Sequence, residues 1–362
     1  MAPLRPVRRL SRQLSTVGGG YLGTGHRHPA VVRGAPRVLV TGACGQIGVE
    51  LVPCIRARYG ASNVIATDVR SPGRDFFESG PFHYLDVCCA DQLARIALEH
   101  SVDTVVHLAS LLSASGERNP QLALKVNQGG TEAVLELARV NGLRVFAPSS
   151  IAVFGPSTPR DAPTEDTIMR PTTIYGLTKL SGELLGEYYH ARWGVDYRSL
   201  RYPGVVSAAA LPGGGTTDYA VEIFYEALLR KSYKCFLGPE TALPMVYMDD
   251  LLQGTVALLE ADNASLTRRV YNMGGLSFSP KELVVEIQNE VPDFFCTFEP
   301  DFRQQIADSW PRSIDDSAAR RDWNWKPEFD LHKMAIDILR RLRAKIQSGQ
   351  VRPGNVGVDA QL

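Results

Sequence analysis

The 362-residue sequence predicts an α/β protein, a Rossmann-type doubly wound parallel sheet with a smaller C-terminal lobe. Three observations predict it. Short β-branched runs alternate with helical stretches from residue 37 onward, a glycine-rich turn joins the first strand to the first helix, and an acidic residue closes the second strand. Alternation of this kind is the pattern of right-handed βαβ crossovers.

The elements follow in order. RVLVTG predicts the first strand, GQIGVELVPCIRARYG a helix and NVIATD the second strand. FHYLDV and DTVVHLAS predict the third and fourth strands, with DQLARIALEH between them at helical spacing. NPQLALKVNQGGTEAVLELARVNG predicts one long helix, RVFAPSS the fifth strand, PTTIYGLTKLSGELLGEYY a further helix and DYRSLRYPGVV another strand. This divides the chain into a dinucleotide-binding domain over 36–205 and a lobe over 206–345, the two interleaved near 243–275, followed by a flexible tail over 346–362.

Composition narrows the classes of function. Hydrophobic residues make up 44% and charged residues 22% of the chain, enough for a full-sized core, and the formal net charge of zero argues against a nucleic-acid footprint or electrostatic membrane binding. No apolar run reaches the length of a membrane span. The first 35 residues differ from the rest: Arg5, Arg8, Arg9, Arg12, Arg27 and Arg33 precede the first acidic residue, Glu50. Basic, serine-containing and acid-free, this segment predicts a mitochondrial transit peptide, with a disordered basic arm as the alternative. The six cysteines form no CxxC pair and no cluster with histidine at ligand spacing, so neither a metal site nor a disulfide framework is predicted.

The glycine-rich turn is TGACGQIG, with Gly42, Gly45 and Gly48 spaced as GxxGxxG. Gly42 suits a tight turn out of the strand, Gly45 close approach of a pyrophosphate, and Gly48 close packing of the helix. Ala43, Cys44, Gln46 and Ile47 complete this cradle. Asp68, ending the second strand, stands where a carboxylate grips adenine-ribose hydroxyls and repels a 2′-phosphate, which favours NAD over NADP. Val69 and Arg70 follow it, and Arg70 is the residue that would soften that preference. Asp86 and Val87, closing the third predicted strand, would flank the adenine.

Tyr175 and Lys179 lie four residues apart, hence on one helix face, and Ser150 ends a strand 25 residues before Tyr175. A free phenol titrates near ~10 and is a poor base at neutral pH. An adjacent ammonium and the positive nicotinamide of a bound dinucleotide both favour the phenolate, so the pair predicts a tyrosine base assisted by lysine. His107, inside an apolar strand, is predicted to satisfy a backbone group rather than to act as base.

Glycine triad, acidic strand end, HLAS, a serine before VFG, and YxxxK together resemble the extended short-chain dehydrogenase/reductases over about residues 37–330. The resemblance implies that Ser150, Tyr175 and Lys179 are the catalytic set and that NAD is the cofactor, with Leu108, Ala109, Lys125 and Val205 among its contacts. HLASLLSASGERNPQLALKVNQGG and RYPGVVSAAALPGGGTTDYAVEIFYEAL narrow it to members oxidising L-threonine, which implies substrate contacts from Ser113, Ser150, Tyr175, Thr216 and Thr217. It also implies a homodimer built on the tyrosine helix, a matrix location and functional coupling to 2-amino-3-oxobutanoate CoA ligase. Asn127 is either a structural polar residue that distorts its helix or a water holder. A nucleotide-sugar epimerase is the alternative within the family, with Arg303, Arg312, Arg320 and Arg321 as candidate diphosphate ligands. Ile151 and Ala152 stand where family dehydratases carry an acidic pair. A non-catalytic NAD-binding subunit is the alternative from another class, and the intact Ser/Tyr/Lys set argues against it.

Overall fold

The computed structural model describes residues 34–209 and 215–350, so the predicted transit segment, except its last two positions, and residues 351–362 of the tail lie outside the described residues. The strands in chain order are β1 (Val38–Thr41), β2 (Val64–Asp68), β3 (Phe82–Tyr84), β4 (Thr104–His107), β5 (Arg144–Phe146), β6 (Ser149–Ser150) and β7 (Asp196–Tyr202). They continue with β8 (Gly204–Val206), β9 (Ser232–Cys235), β10 (Leu243–Tyr247), β11 (Val270–Asn272), β12 (Leu276–Phe278) and β13 (Phe295–Phe298). The helices are α1 (Gly48–Tyr59), α2 (Arg74–Glu78), α3 (Ala90–Glu99), α4 (Ser113–Arg118), α5 (Pro120–Ala123), α6 (Gly129–Asn141) and α7 (Ile174–Trp193). In the second half they are α8 (Tyr219–Leu229), α9 (Met248–Glu260), α10 (Pro280–Glu290), α11 (Phe302–Asp308), α12 (Ser317–Trp323) and α13 (Leu331–Gln347).

The main sheet runs β11-β7-β5-β4-β1-β2-β3, with β6 also paired to β7, and every pairing is parallel. The doubly wound sheet predicted from the alternation is therefore the fold. Strands β1, β2 and β4 are buried along their whole length because helices cover both faces, which suits their apolar stretches Val38–Val40, Val64–Ala66 and Val105–Val106. Thr41 lies level with Thr67 on one side and His107 on the other. That register brings the residues immediately after β1 and β4, and Asp68 at the end of β2, to one rim.

The C-terminal lobe has its own core around Tyr219, Phe224, Leu237, Met245, Leu283 and Ile338. It is built on the small sheets β12-β10-β8 and β13-β9. The sequence reading joined β7 and β8 into one strand. They are separate because Pro203 lacks an N–H for the ladder, and after it the chain leaves the main sheet to pair with β10. RVFAPSS divides likewise at Ala147-Pro148. The third strand stops at Tyr84, leaving Asp86 and Val87 in the turn before α3 rather than in a strand. The single helix predicted over 119–142 is α5 and α6 joined by a π-turn, Leu124–Gln128. Such wide turns lengthen the i→i−4 spacing and concentrate at functional sites.

Chain crossings tie the lobe to the sheet. After β10 the chain returns as α9, whose Leu251, Val256 and Leu258 pack in the core on one face of the main sheet. Arg198 of β7, fully buried, donates to the carbonyls of Leu258 (2.6 Å) and Ala261 (2.8 Å) and fixes the end of α9.

Candidate active site

The dinucleotide cradle begins at the level rim. Gly42 has φ +70°, and a Cβ there would lie 2.5 Å from the Ala109 nitrogen, so only glycine permits this approach of the turn after β1 to the turn after β4. At Gly48 a Cβ would sit 2.6 Å from the carbonyl oxygens of Gly42 and Ala43, which lets α1 start directly against the strand end. The nearest atoms to a Cβ on Gly45 are its own turn's Gly42 oxygen at 3.1 Å and the Arg70 guanidinium at 4.0 Å. That face is left to an incoming group.

Asp68 is buried, and its carboxylate accepts from the backbone N–H of Cys44 (2.8 Å) and of Arg70 (2.9 Å). The Arg70 guanidinium lies 3.5 Å from the same carboxylate and donates to the Cys44 carbonyl, with its side chain 62% exposed. Burial and the neighbouring Asp68 push the Cys44 thiol up to about 11, so it is an inert wall of the cradle. Gln46 Nε2 is buried with no partner among the described residues. A buried donor without a partner beside a bare glycine face suits a phosphate-bearing ligand. Of the other predicted contacts, Ala43 and Val87 are buried, Ile47 is partly buried, Val69 is exposed, and Leu108 and Ala109 hang by backbone bonds on Thr41. Asp86 is exposed and accepts from Cys88 N–H (2.9 Å), Lys125 stands exposed on the π-turn, and Val205 is on β8.

Ser150, Tyr175 and Lys179 are brought together by the first turns of α7. Thr173 caps this helix by accepting from Gly176 N–H (3.1 Å), and the Glu117 carboxylate accepts from Ile174 N–H (2.7 Å). Gly176 allows the helix to press on the turn Ile151–Val153 after Ser150, where a Cβ would meet the Ala152 oxygen at 2.1 Å. Tyr175 hydrogen-bonds with Ser150, which favours its phenolate, but burial dominates and pushes the phenol up to about 12. Lys179 Nζ donates to the Pro148 carbonyl at 3.0 Å and stands 5.5 Å from the centre of the Tyr175 ring. Burial pulls the ammonium down to about 8, opposed by the charge of Glu183. The expectation counted on a positive nicotinamide as well as Lys179, and the pull of burial on the phenol is what those two charges would have to offset.

His107 corrects an expectation. It is buried, but its Nδ1 is 2.8 Å from the Thr41 hydroxyl rather than bonded to a backbone group. Burial, with Lys179 nearby, drops it to about 3, so it is neutral at any physiological pH. Asn127, on the π-turn, accepts from Leu111 N–H (2.8 Å) and donates to the Leu111 carbonyl and the Thr178 hydroxyl (3.1 Å each), joining the turn after β4 to α7. Sequence reasoning passed over Glu183 and Arg201, a buried pair beneath Lys179. The signal was available: Glu183 repeats the four-residue spacing that links Tyr175 to Lys179.

Of the predicted substrate residues, Ser113 is buried at the start of α4, which Glu117 ties to α7. Thr216 is buried with Oγ1 unpartnered among the described residues, and Thr217 lies against Gly204 of β8. The four arginines considered as diphosphate ligands all face acids: Arg303 pairs with Asp301, Arg312 with Asp161, Arg320 with Asp316 and Arg321 with Asp322. A bound dinucleotide beside a phenol, a hydroxyl and an ammonium is the equipment for moving a hydride and a proton from one alcohol.

The chain belongs to the NAD dependent epimerase/dehydratase family, which it matches over residues 38–274. It is 48% identical to the mitochondrial L-threonine 3-dehydrogenase of Sus scrofa, covering 84% of this chain and 82% of that one. The L-threonine dehydrogenase structure from Phytophthora infestans superposes with a TM-score of 0.84 at 59% identity, covering 85% of this chain and 99% of that one. The holo form of a GalE-like L-threonine dehydrogenase from Cupriavidus necator superposes at 0.83 with 47% identity, covering 85% and 100%.

With the Asp68 carboxylate bonded to the glycine turn through Cys44 N–H, Asp68→Ala is expected to weaken NADH binding about tenfold or more and NADPH binding less. Fluorescence titration with both nucleotides measures this; an unchanged ratio removes Asp68 from the ribose role.

Proposed function

We propose that this chain catalyses the NAD-dependent oxidation of L-threonine to L-2-amino-3-oxobutanoate. The observation that carries the reading is the convergence of Ser150, Tyr175 and Lys179 beside the glycine cradle, at the rim where β1, β2 and β4 end. The likeness to threonine dehydrogenases over most of the chain supports the substrate. The ion-paired state of Arg303, Arg312, Arg320 and Arg321 argues against an epimerase that must hold a nucleotide diphosphate.

In this reading the backbone amides of Gln46 and Ile47, past the internally bonded amides of Ala43, Cys44 and Gly45, would hold the pyrophosphate and Asp68 the adenine ribose. Bound there, NAD would supply the acceptor for the hydride that leaves the carbinol carbon as its hydroxyl becomes a ketone. Ser150 orients the alcohol oxygen, Tyr175 Oη takes its proton, and Lys179 holds the nicotinamide ribose while stabilising the phenolate. Ser113, Thr216 and Thr217 offer hydroxyls for the amino-acid end, and the unpartnered Thr216 oxygen suits that use. Activity would then fall on the alkaline side as Lys179, pulled down to about 8 by burial, loses its proton.

The β-keto acid product decarboxylates readily, so a CoA-dependent ligase that consumes it is the natural functional partner. The basic, acid-free leader supports a mitochondrial matrix location. A homodimer is supported by α7, whose Leu177, Leu184 and Tyr188 are 49%, 58% and 54% exposed and so do not pack on the sheet.

Each part has a direct check. NADH absorbance with L-threonine, L-serine, D-threonine and UDP-galactose is expected to rise with L-threonine; silence with L-threonine overturns the reading. Tyr175→Phe is expected to cut turnover about 10²–10⁴-fold with little change in NAD affinity, and near-normal turnover excludes it as base. Residues 1–35 fused to a fluorescent protein are expected to carry it into mitochondria; a cytosolic signal refutes the leader. Leu184→Lys is expected to halve the mass in sedimentation, and an unchanged mass rejects α7 as the interface.

A further inference from the structure

The Glu183–Arg201 pair lies directly beneath the site just described, and nothing in the proposed chemistry uses it. Glu183 is buried on α7, one turn beyond Lys179 and two beyond Tyr175, so all three share a helix face. Its Oε1 accepts from Arg201 Nε (2.9 Å) and from the Ser149 hydroxyl, and its Oε2 accepts from Arg201 Nη2 (2.8 Å). Arg201 is held in turn by the Glu165 carbonyl (3.3 Å) and Asn272 Oδ1 (3.2 Å). Buried ion pairs of this kind are weak evidence of stability, because desolvation cancels much of the attraction. A role at the site accounts for its place better. Ser149 immediately precedes Ser150, and Pro148, whose carbonyl receives the Lys179 ammonium, precedes Ser149. One carboxylate therefore touches the strand end that carries both the catalytic hydroxyl and the lysine's acceptor.

We propose that Glu183 is a positioning residue for hydrogen transfer: by its bond to Ser149 it fixes Pro148 and Ser150 in register with α7, and from one helical turn away it sets the charge that the Lys179 ammonium meets. Other groups face this spot. Arg201 and Tyr197 on β7 and Glu187 one turn further along α7 surround Glu183, and His107 on β4 and Tyr175 surround Lys179. Tyr197 is pushed up by burial and His107 is held neutral, so neither titrates where Lys179 does. Glu187 sits behind Glu183, which raises it by repulsion after the larger effect of burial. Glu183 is the charged neighbour that holds the lysine up against its own desolvation.

The inference rests on the proposed oxidation, and wild-type activity with L-threonine tests that reading first and separately. In Glu183→Gln, and in Glu183→Gln/Arg201→Met, which removes both charges while keeping bulk, the alkaline limb of kcat is expected to move down by about one pH unit. At pH 9 this reads as roughly a tenfold loss of kcat, with KM within about twofold. Ser149→Ala keeps the carboxylate and is expected to lower kcat without moving the limb. A purely structural pair would lower the unfolding midpoint and leave the limb where it is. Active wild type with folded charge variants of unshifted pH profile overturns the charge role. Should both charge variants fail to fold, Ser149→Ala decides alone, and wild-type kcat there overturns the positioning role.

Discussion

Holding the half-buried Lys179 ammonium is the constraint around which the centre of this molecule is arranged. Removing an ammonium from water costs several kcal/mol even after relaxation, and the structure offsets that with one carbonyl, Pro148, and one carboxylate, Glu183. Both sit on elements that also present reacting groups. The partial burial that makes the lysine costly to hold also raises the phenol of Tyr175.

The sheet supplies the precision. Registers fixed by backbone ladders, Thr41 beside Thr67 and His107, bring three strand ends to one level without any side-chain contact being asked to do so. Side chains then make the short links between neighbours: Thr41 to His107, Asn127 to Thr178, Thr173 to Gly176. The first two cross between elements whose backbones are already placed, and the third caps α7. The π-turn at Leu124–Gln128 belongs with them, since it turns Asn127 toward the loop after β4 and toward α7 at once.

Periodicity, glycines and chemistry-bearing spacings made much of this legible in the sequence. Buried parallel strands read plainly because both faces are apolar, and Gly42, Gly48 and Asp68 stand where their residue types demanded. What escaped was set by distant neighbours. Pro203 was visible, yet that β8 would desert one sheet for another depends on β10, some forty residues later. Neither the wide turn at Asn127 nor the burial of Glu183 against Arg201 is encoded in local propensity. Each is imposed by the partner across the gap. The upward pull of burial on the Tyr175 phenol is likewise something that spacing does not report.

The repeated passage of the chain between sheet and lobe has a consequence for how the molecule comes apart. From β7 it departs at Pro203, comes back as α9 to lie on the main sheet, adds β11 beside β7, and departs again to β12. A fragment cut after β8 would leave β7 as a raw edge, strip one face of its helix and strand Arg198 without the carbonyls it serves. The two halves are therefore not separable modules that evolution or a protein engineer can exchange at a single joint. Transplanting the lobe means carrying α9 and β11 with it.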